Sequence, residues 1–213
     1  MTAPLLTADY RADRRSDGEP DRRLRLTLYP GDTAVLWGAP GQCDRHFRIL
    51  SGLQRPVEGE VQLAGVNPMA LPPREAAALR RTILGAVPRG GGFLPEVPMM
   101  EQVTLPLRLS GLTGAEIGDR LCRFTGEDLP LHLLYNRPGD CHPARRLYAA
   151  LLRAVLPEPK LLLLHDWPET LPDRETARLW DAVEAMRPPD SALLIFSSSP
   201  RTAQENRTVT VPI

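Results

Sequence analysis

A chain of 213 residues with 42% hydrophobic content is long enough to bury one α/β core without disulfide or metal staples. Its 26 basic and 26 acidic residues cancel and form no long single-sign run, so no nucleic-acid partner or anionic-lipid surface is expected. Cys43, Cys122 and Cys141 are odd in number and far apart, the N-terminus (MTAPLLTADYRADRR) has no apolar signal core, and no apolar stretch approaches the roughly 20 residues that span a bilayer. A reducing cytoplasm is the expected setting, and any membrane connection has to come through a partner.

Residues 23–29 alternate polar with apolar side chains (Leu24, Leu26, Leu28), the period-two pattern of a half-exposed strand, and Pro30, Gly31 and Asp32 close it with turn chemistry. Residues 33–37 (TAVLW) are predicted as a short buried strand running into Gly38-Ala39-Pro40-Gly41, after which Phe47, Leu50 and Leu53 mark the inner face of a helix. Another alternating strand is expected at residues 60–64 and a helix opened by proline at 73–84. Residues 112–124 predict a helix capped by Thr113 with Ile117, Leu121 and Phe124 inward. Residues 143–156 predict a stronger one carrying Leu147, Leu151, Leu152 and Val155. The run 161–164 is an apolar strand, Asp173 is a candidate cap for a helix with Leu179, Val183 and Met186 inward, and residues 192–196 and 208–211 complete the strands.

Buried apolar strands alternating with amphipathic helices imply a mostly parallel sheet covered on both faces, with a small antiparallel addition near the N-terminus. Residues 90–140 hold no convincing strand and read as a helical insert. Arg89-Gly90-Gly91-Gly92 reads as a flexible connection, since no strand-to-helix context surrounds it.

The order of a strand, GAPGQCDRHF, GLQRPVEGEVQLAGVNP, VPRGGGFLPEVPMMEQVTLPLRLSGL, ARRLYAALLRAVLPEPKLLLLHDWPETL and ALLIFSSSP resembles the ATPase subunits of ABC transporters over nearly the whole chain. The resemblance implies a RecA-like P-loop NTPase fold of the ABC ATPase type. Residues 1–213 would form a single domain, with a helical subdomain at approximately 90–156 inserted in the α/β body. The family's cofactors are ATP and Mg²⁺. Cradling phosphates needs glycines, a lysine for the β/γ-phosphates and a hydroxyl on Mg²⁺. Gly38 and Gly41 match the first two glycines, but Cys43 stands at the third, Asp44 at the lysine, and Arg45 and His46 at the hydroxyl positions. Lys160, the chain's one lysine, lies far from this loop.

The other positions that the resemblance assigns are altered too. His165 and Asp166 fall where a metal-binding aspartate and a water-activating glutamate are expected, and a one-residue shift puts Trp167 at the base position instead. Arg89 replaces the γ-phosphate-sensing glutamine and Ser198 the histidine. Cys141-His142-Pro143-Ala144-Arg145 replaces the signature whose helix N-terminus holds the opposite subunit's phosphate. No aromatic lies between Arg11 and Leu28, which leaves Tyr10 as the nearest candidate to stack on adenine. No bound nucleotide or metal is therefore expected: Cys43, His46 and His165 are close in that fold, yet no CxxC or HxxxH spacing supports a metal.

The reading that follows is a nonhydrolysing docking, scaffold or regulatory subunit, with an integral membrane transporter subunit as partner and a homodimer or a heterodimer with another ABC ATPase subunit. A weak or asymmetric ATPase beside a competent paralogue and a soluble regulatory module are the alternatives. Phe93, Met99, Met100 and Val103 are the expected partner contact, with the methionine pair as an exposed, adaptable surface.

Overall fold

The computed structural model describes residues 2–13, 23–125, 130–167 and 171–199, and the backbone of 209–212. Strands β1 (Leu6–Arg11), β2 (Leu24–Leu28), β3 (Thr33–Trp37) and β4 (Glu58–Leu63) are joined by helix α1 (Pro40–Leu50) between the last two. Helix α2 (Pro73–Ile83) runs directly into β5 (Leu84–Val87), and α3 (Met99–Leu109), α4 (Gly114–Phe124) and α5 (Pro143–Val155) follow. Strand β6 (Leu161–His165), α6 (Asp173–Met186), β7 (Ala192–Ser197) and β8 (Val209–Pro212) complete the order.

Two sheets result. One is antiparallel, in the order β2-β1-β4; the other has five parallel strands in the order β5-β6-β7-β3-β8. The parallel strands are apolar on both faces, as a doubly covered sheet requires. Leu161 and Leu163, with Leu194 and Phe196, pack against the antiparallel sheet and α1. Leu162 and Leu164, with Leu193 and Ile195, pack against α3, α5 and α6. Period two along each strand thus sends alternate residues to two cores.

The expected fold class holds: a mostly parallel sheet, a small antiparallel part and helices between β5 and β6. Thr113 caps α4 as expected, reciprocally with Glu116. Some local expectations change. Strand β1 was not anticipated, although Leu6, Ala8 and Tyr10 alternate inward. The helix expected to include Leu84 stops at Ile83, because Leu84 is extended and pairs with Leu161 of β6; Gly85, next along β5, lies so close to α5 that a Cβ there would meet the Ala154 carbonyl oxygen at 2.4 Å. Leu53 points outward: α1 ends at Leu50, Gly52 turns the chain at φ 66°, and the helical period no longer applies beyond it. Asp173 is the first residue of α6, with Pro172 at the cap.

Candidate functional site

The carboxyl ends of β3 and β6, and the turn after β7, converge at one end of the parallel sheet, where α/β folds place their ligands. At the β3–α1 junction Gly38 is followed by a helix that starts at once, with Pro40 as its first residue. The amides of Gln42 and Cys43 donate to the Ala39 carbonyl at 2.9 and 3.0 Å, and the Ala39 amide donates to Gln42 Oε1 at 2.9 Å. Those donors are spent inside the first turn. Gly41 has open space around its α-carbon.

The side chains of this turn are each engaged. Cys43 is buried, its thiol 3.3 Å from the Ser197 carbonyl oxygen. Arg45 is ion-paired with Asp13. His46 Nδ1 lies 2.6 Å from the hydroxyl of Tyr10, which is fully buried in β1. Tyr10 therefore presents no free face to an adenine, contrary to the sequence expectation.

Asp166 follows β6 in the left-handed region, at φ 47°. Its amide donates to the Phe196 carbonyl at 2.8 Å, tying the turn to β7. One carboxylate oxygen accepts the Ser198 amide and hydroxyl at 2.8 and 3.0 Å; the other is ion-paired with Arg89. The next residue, Trp167, turns into the core.

His165 is buried, with its ring stacked on Phe47 at 5.2 Å. Nε2 has no aligned hydrogen-bond partner, although Asp44 Oδ1 is 3.4 Å and Asp166 Oδ2 is 3.8 Å away. Burial pushes the imidazole below its ordinary pKa. The Asp166 and Asp44 carboxylates oppose that, and Arg89 and Arg48 reinforce it. Asp44, His165, Asp166, Arg89 and Ser198 thus meet in one polar cluster. Among the described residues no group of three or more His, Cys, Asp and Glu side chains is arranged to hold a metal ion.

Cys141, His142, Pro143, Ala144 and Arg145 open α5 elsewhere, beside a cavity of about 510 Å³ against α6. His142 caps the helix, its Nδ1 3.4 Å from the Ala144 amide, and Pro143 contributes no donor. Cys141 is buried and Arg145 lines the cavity.

The expected partner contact is corrected by burial. Met99 and Val103 are 0% exposed and belong to the core beneath α3, so neither is an adaptable surface; Met100 is half-buried. The reason is helical spacing: Met99, Val103 and Leu107 share the inward face, which leaves Leu105 and Leu109 outside. Phe93 is half-buried under the Arg153 guanidinium, 4.6 Å from its ring centre. Arg153 also donates to the Gly91 and Gly92 carbonyls at 2.5 and 3.0 Å, and Gly90, Gly91 and Gly92 all have positive φ. The glycine run is thus a turn built around an arginine rather than the flexible connection expected.

A parallel sheet with an antiparallel flank, a strand–turn–helix at its ligand-binding end and helices inserted between β5 and β6 define a nucleotide-binding cassette of the ABC ATPase type. The solved dimeric structure of MJ0796, a bacterial ABC transporter cassette, matches it with a TM-score of 0.77 at 18% identity, covering 100% of this chain and 94% of that one. No protein-family model matches the sequence. The chain is nevertheless 30% identical over 168 residues to the lipoprotein-releasing system ATP-binding protein LolD of Hahella chejuensis, covering 76% of this chain and 72% of that protein. LolD 1 of Rhodopirellula baltica is also 30% identical, over 178 residues that cover 82% and 77% of the two chains. The chain belongs to the family of ABC transporter ATP-binding subunits.

Proposed function

We propose that this chain is a nonhydrolysing ABC-type subunit that docks on a membrane transporter partner as a scaffold or regulatory component. The observation that carries the reading is the state of Asp166. Both of its oxygens are engaged within the chain, by Arg89 and by Ser198, where a metal-dependent ATPase needs a carboxylate free for Mg²⁺. Arg89 supplies the positive charge that the metal would otherwise bring.

The residues around β3 and α1 fit a nucleotide equally poorly. Asp44 would aim a carboxylate at the phosphates, and the amides of Gln42 and Cys43 are already bonded to Ala39. The signature-like segment begins with a histidine cap and a proline, so it offers few donors to a partner's phosphate.

The helical subdomain, at approximately residues 90–156, is the part that faces the partner in this reading. Among the described residues no helix is long and apolar enough to cross a membrane, so attachment to the inner face of the membrane runs through a multi-span protein. The relatives' names tie them to a lipoprotein-releasing system, and a transporter of that general kind, with a homodimer or heterodimer of cassettes, is the assembly proposed.

Calorimetric titration of the purified, folded chain with Mg-ATP tests the reading. No saturable binding is expected at physiological nucleotide levels. Binding at micromolar ATP would restore the weak or asymmetric ATPase in its place.

A further inference from the structure

The cavity of about 510 Å³ beside α5 is bounded by the first turns of that helix, by α6 and by the short 3₁₀ turns Leu131–Tyr135 and Pro138–Asp140. Pockets for small organic ligands run from roughly 300 to 1,000 Å³, with an apolar lining and a few converging polar groups. Leu133, Tyr148 and Leu179 supply the apolar lining here, and the Tyr148 hydroxyl lies 3.4 Å from the Phe124 carbonyl oxygen, which fixes its ring as a wall. The charged side chains are of both signs: His142, Arg145 and Arg178 with Asp140 and Glu175.

Two of these groups face each other as acceptors. His142 Nδ1 takes the Ala144 N–H as the cap of α5, at 3.4 Å, so it is the ring nitrogen without a proton. The same Nδ1 lies 3.9 Å from Glu175 Oε2. That oxygen is buried and has no hydrogen-bond partner, although the glutamate side chain as a whole is 33% exposed. The two lone pairs are too far apart to bond and neither brings a proton. Protonating Nδ1 would pair the ring with Glu175 but would cost the helix its cap. A donor seated between them satisfies both acceptors, and an ammonium carries three N–H groups on one charged nitrogen. Arg145 makes the opposite demand: it lines the cavity, and among the described residues it has no carboxylate partner.

We propose that this cavity binds a small zwitterion with an apolar body, about the size of a dipeptide. Its ammonium lies between His142 Nδ1 and Glu175 Oε2, its carboxylate meets Arg145, and its apolar part covers Leu133, Tyr148 and Leu179. Paired acceptors repel an anion, so the His142 and Glu175 end of the cavity is the reverse of a phosphate site. The assignment stands apart from the docking role, and neither depends on the other.

Calorimetric titration of the full chain with leucyl-leucine, its N-acetyl form and its C-terminal amide tests it. The free dipeptide is expected to bind saturably, and acetylation, which removes the ammonium, should weaken binding about tenfold or more. Amidation should weaken it by a similar factor through Arg145. Glu175→Gln should make the free and acetylated forms bind alike, and Arg145→Gln should do the same for the free and amidated forms, with both variants melting near the wild type. No saturable binding of the free dipeptide to the folded wild type overturns the proposal. So does equal binding of the acetylated form, or a preference for the ammonium that survives Glu175→Gln. Displacement of the dipeptide by Mg-ATP would assign the cavity to a nucleotide and overturn it as well.

Discussion

Arg89, just beyond β5, pairs its guanidinium with the carboxylate of Asp166, just beyond the adjacent strand β6. The pair is uneven, since the aspartate side chain is 9% exposed and the arginine 46%. Removing the cation strands a nearly buried carboxylate with the Ser198 donors alone. Arg89→Gln is therefore expected to cost about 1–3 kcal/mol, less than a fully buried pair would because Arg89 is half in water. Asp166→Asn in the Arg89→Gln background should cost less than in the wild type, since the repulsive buried charge is already unpaired. Urea denaturation of the four proteins measures the coupling, and strict additivity would mean that the contact contributes nothing.

His165 gives the same cluster a pH dependence. Its pKa is lowered in the folded chain, mainly by burial, so the unfolded chain binds this proton more readily. Stability rises with pH wherever the unfolded state binds more protons. The contribution of the neutral imidazole is thus whole above the ordinary value of 6.5 and is lost as the pH falls through the lowered one. The slope contributed is at most about 1.4 kcal/mol per pH unit. Melting curves between about pH 7 and about pH 5 should fall more steeply for the wild type than for His165→Gln, which cannot take up the proton. Parallel curves would show that His165 is not the responsible group.

Asp44→Lys restores the one charge that a phosphate loop most needs, yet no turnover is expected from it. Arg45 remains paired with Asp13, Arg89 with Asp166, and Ser198 with the same carboxylate. Groups that act as a unit are not repaired one at a time. Phosphate release from the single variant, measured above a no-protein background, would show that the other positions matter less than their geometry implies.

The fold was legible where one periodicity ruled a whole element. The apolar runs of β6 and β7 and the spacing of Leu147, Leu151 and Val155 on α5 each admit one reading. Failures came at junctions. Strand β5 is four residues long and continues α2 without a break, so local pattern alone does not separate them. The outer face of α3 was misjudged because two adjacent methionines look like a surface pair, although consecutive helix residues point in different directions. In the site, the altered residue types were plain from the sequence, but their pairings were not. Arg89 with Asp166 and Tyr10 with His46 join elements 77 and 36 residues apart, and nothing local encodes them.

Met99 and Leu109 stand on one helix and should answer substitution in opposite ways. Met99 is fully buried among Val103, Leu107 and the rest of the core, so Met99→Lys forces an unpaired ammonium into an apolar site. A loss of roughly 3 kcal/mol or more is expected, and with it the fold in a marginal background. Leu109, at the outer end of α3, is 61% exposed and lines an apolar groove. Leu109→Glu should move stability by no more than about 0.5 kcal/mol, since no core contact is lost. It should nevertheless release the chain from the membrane fraction of its native cells, because it puts a carboxylate on the exposed apolar face that Leu105 and Leu109 offer to a partner in the proposed docking role. Thermal melts and fractionation of both variants decide the matter. If Leu109→Glu stays on the membrane, or Met99→Lys melts with the wild type, the partner surface does not lie on the outer face of α3.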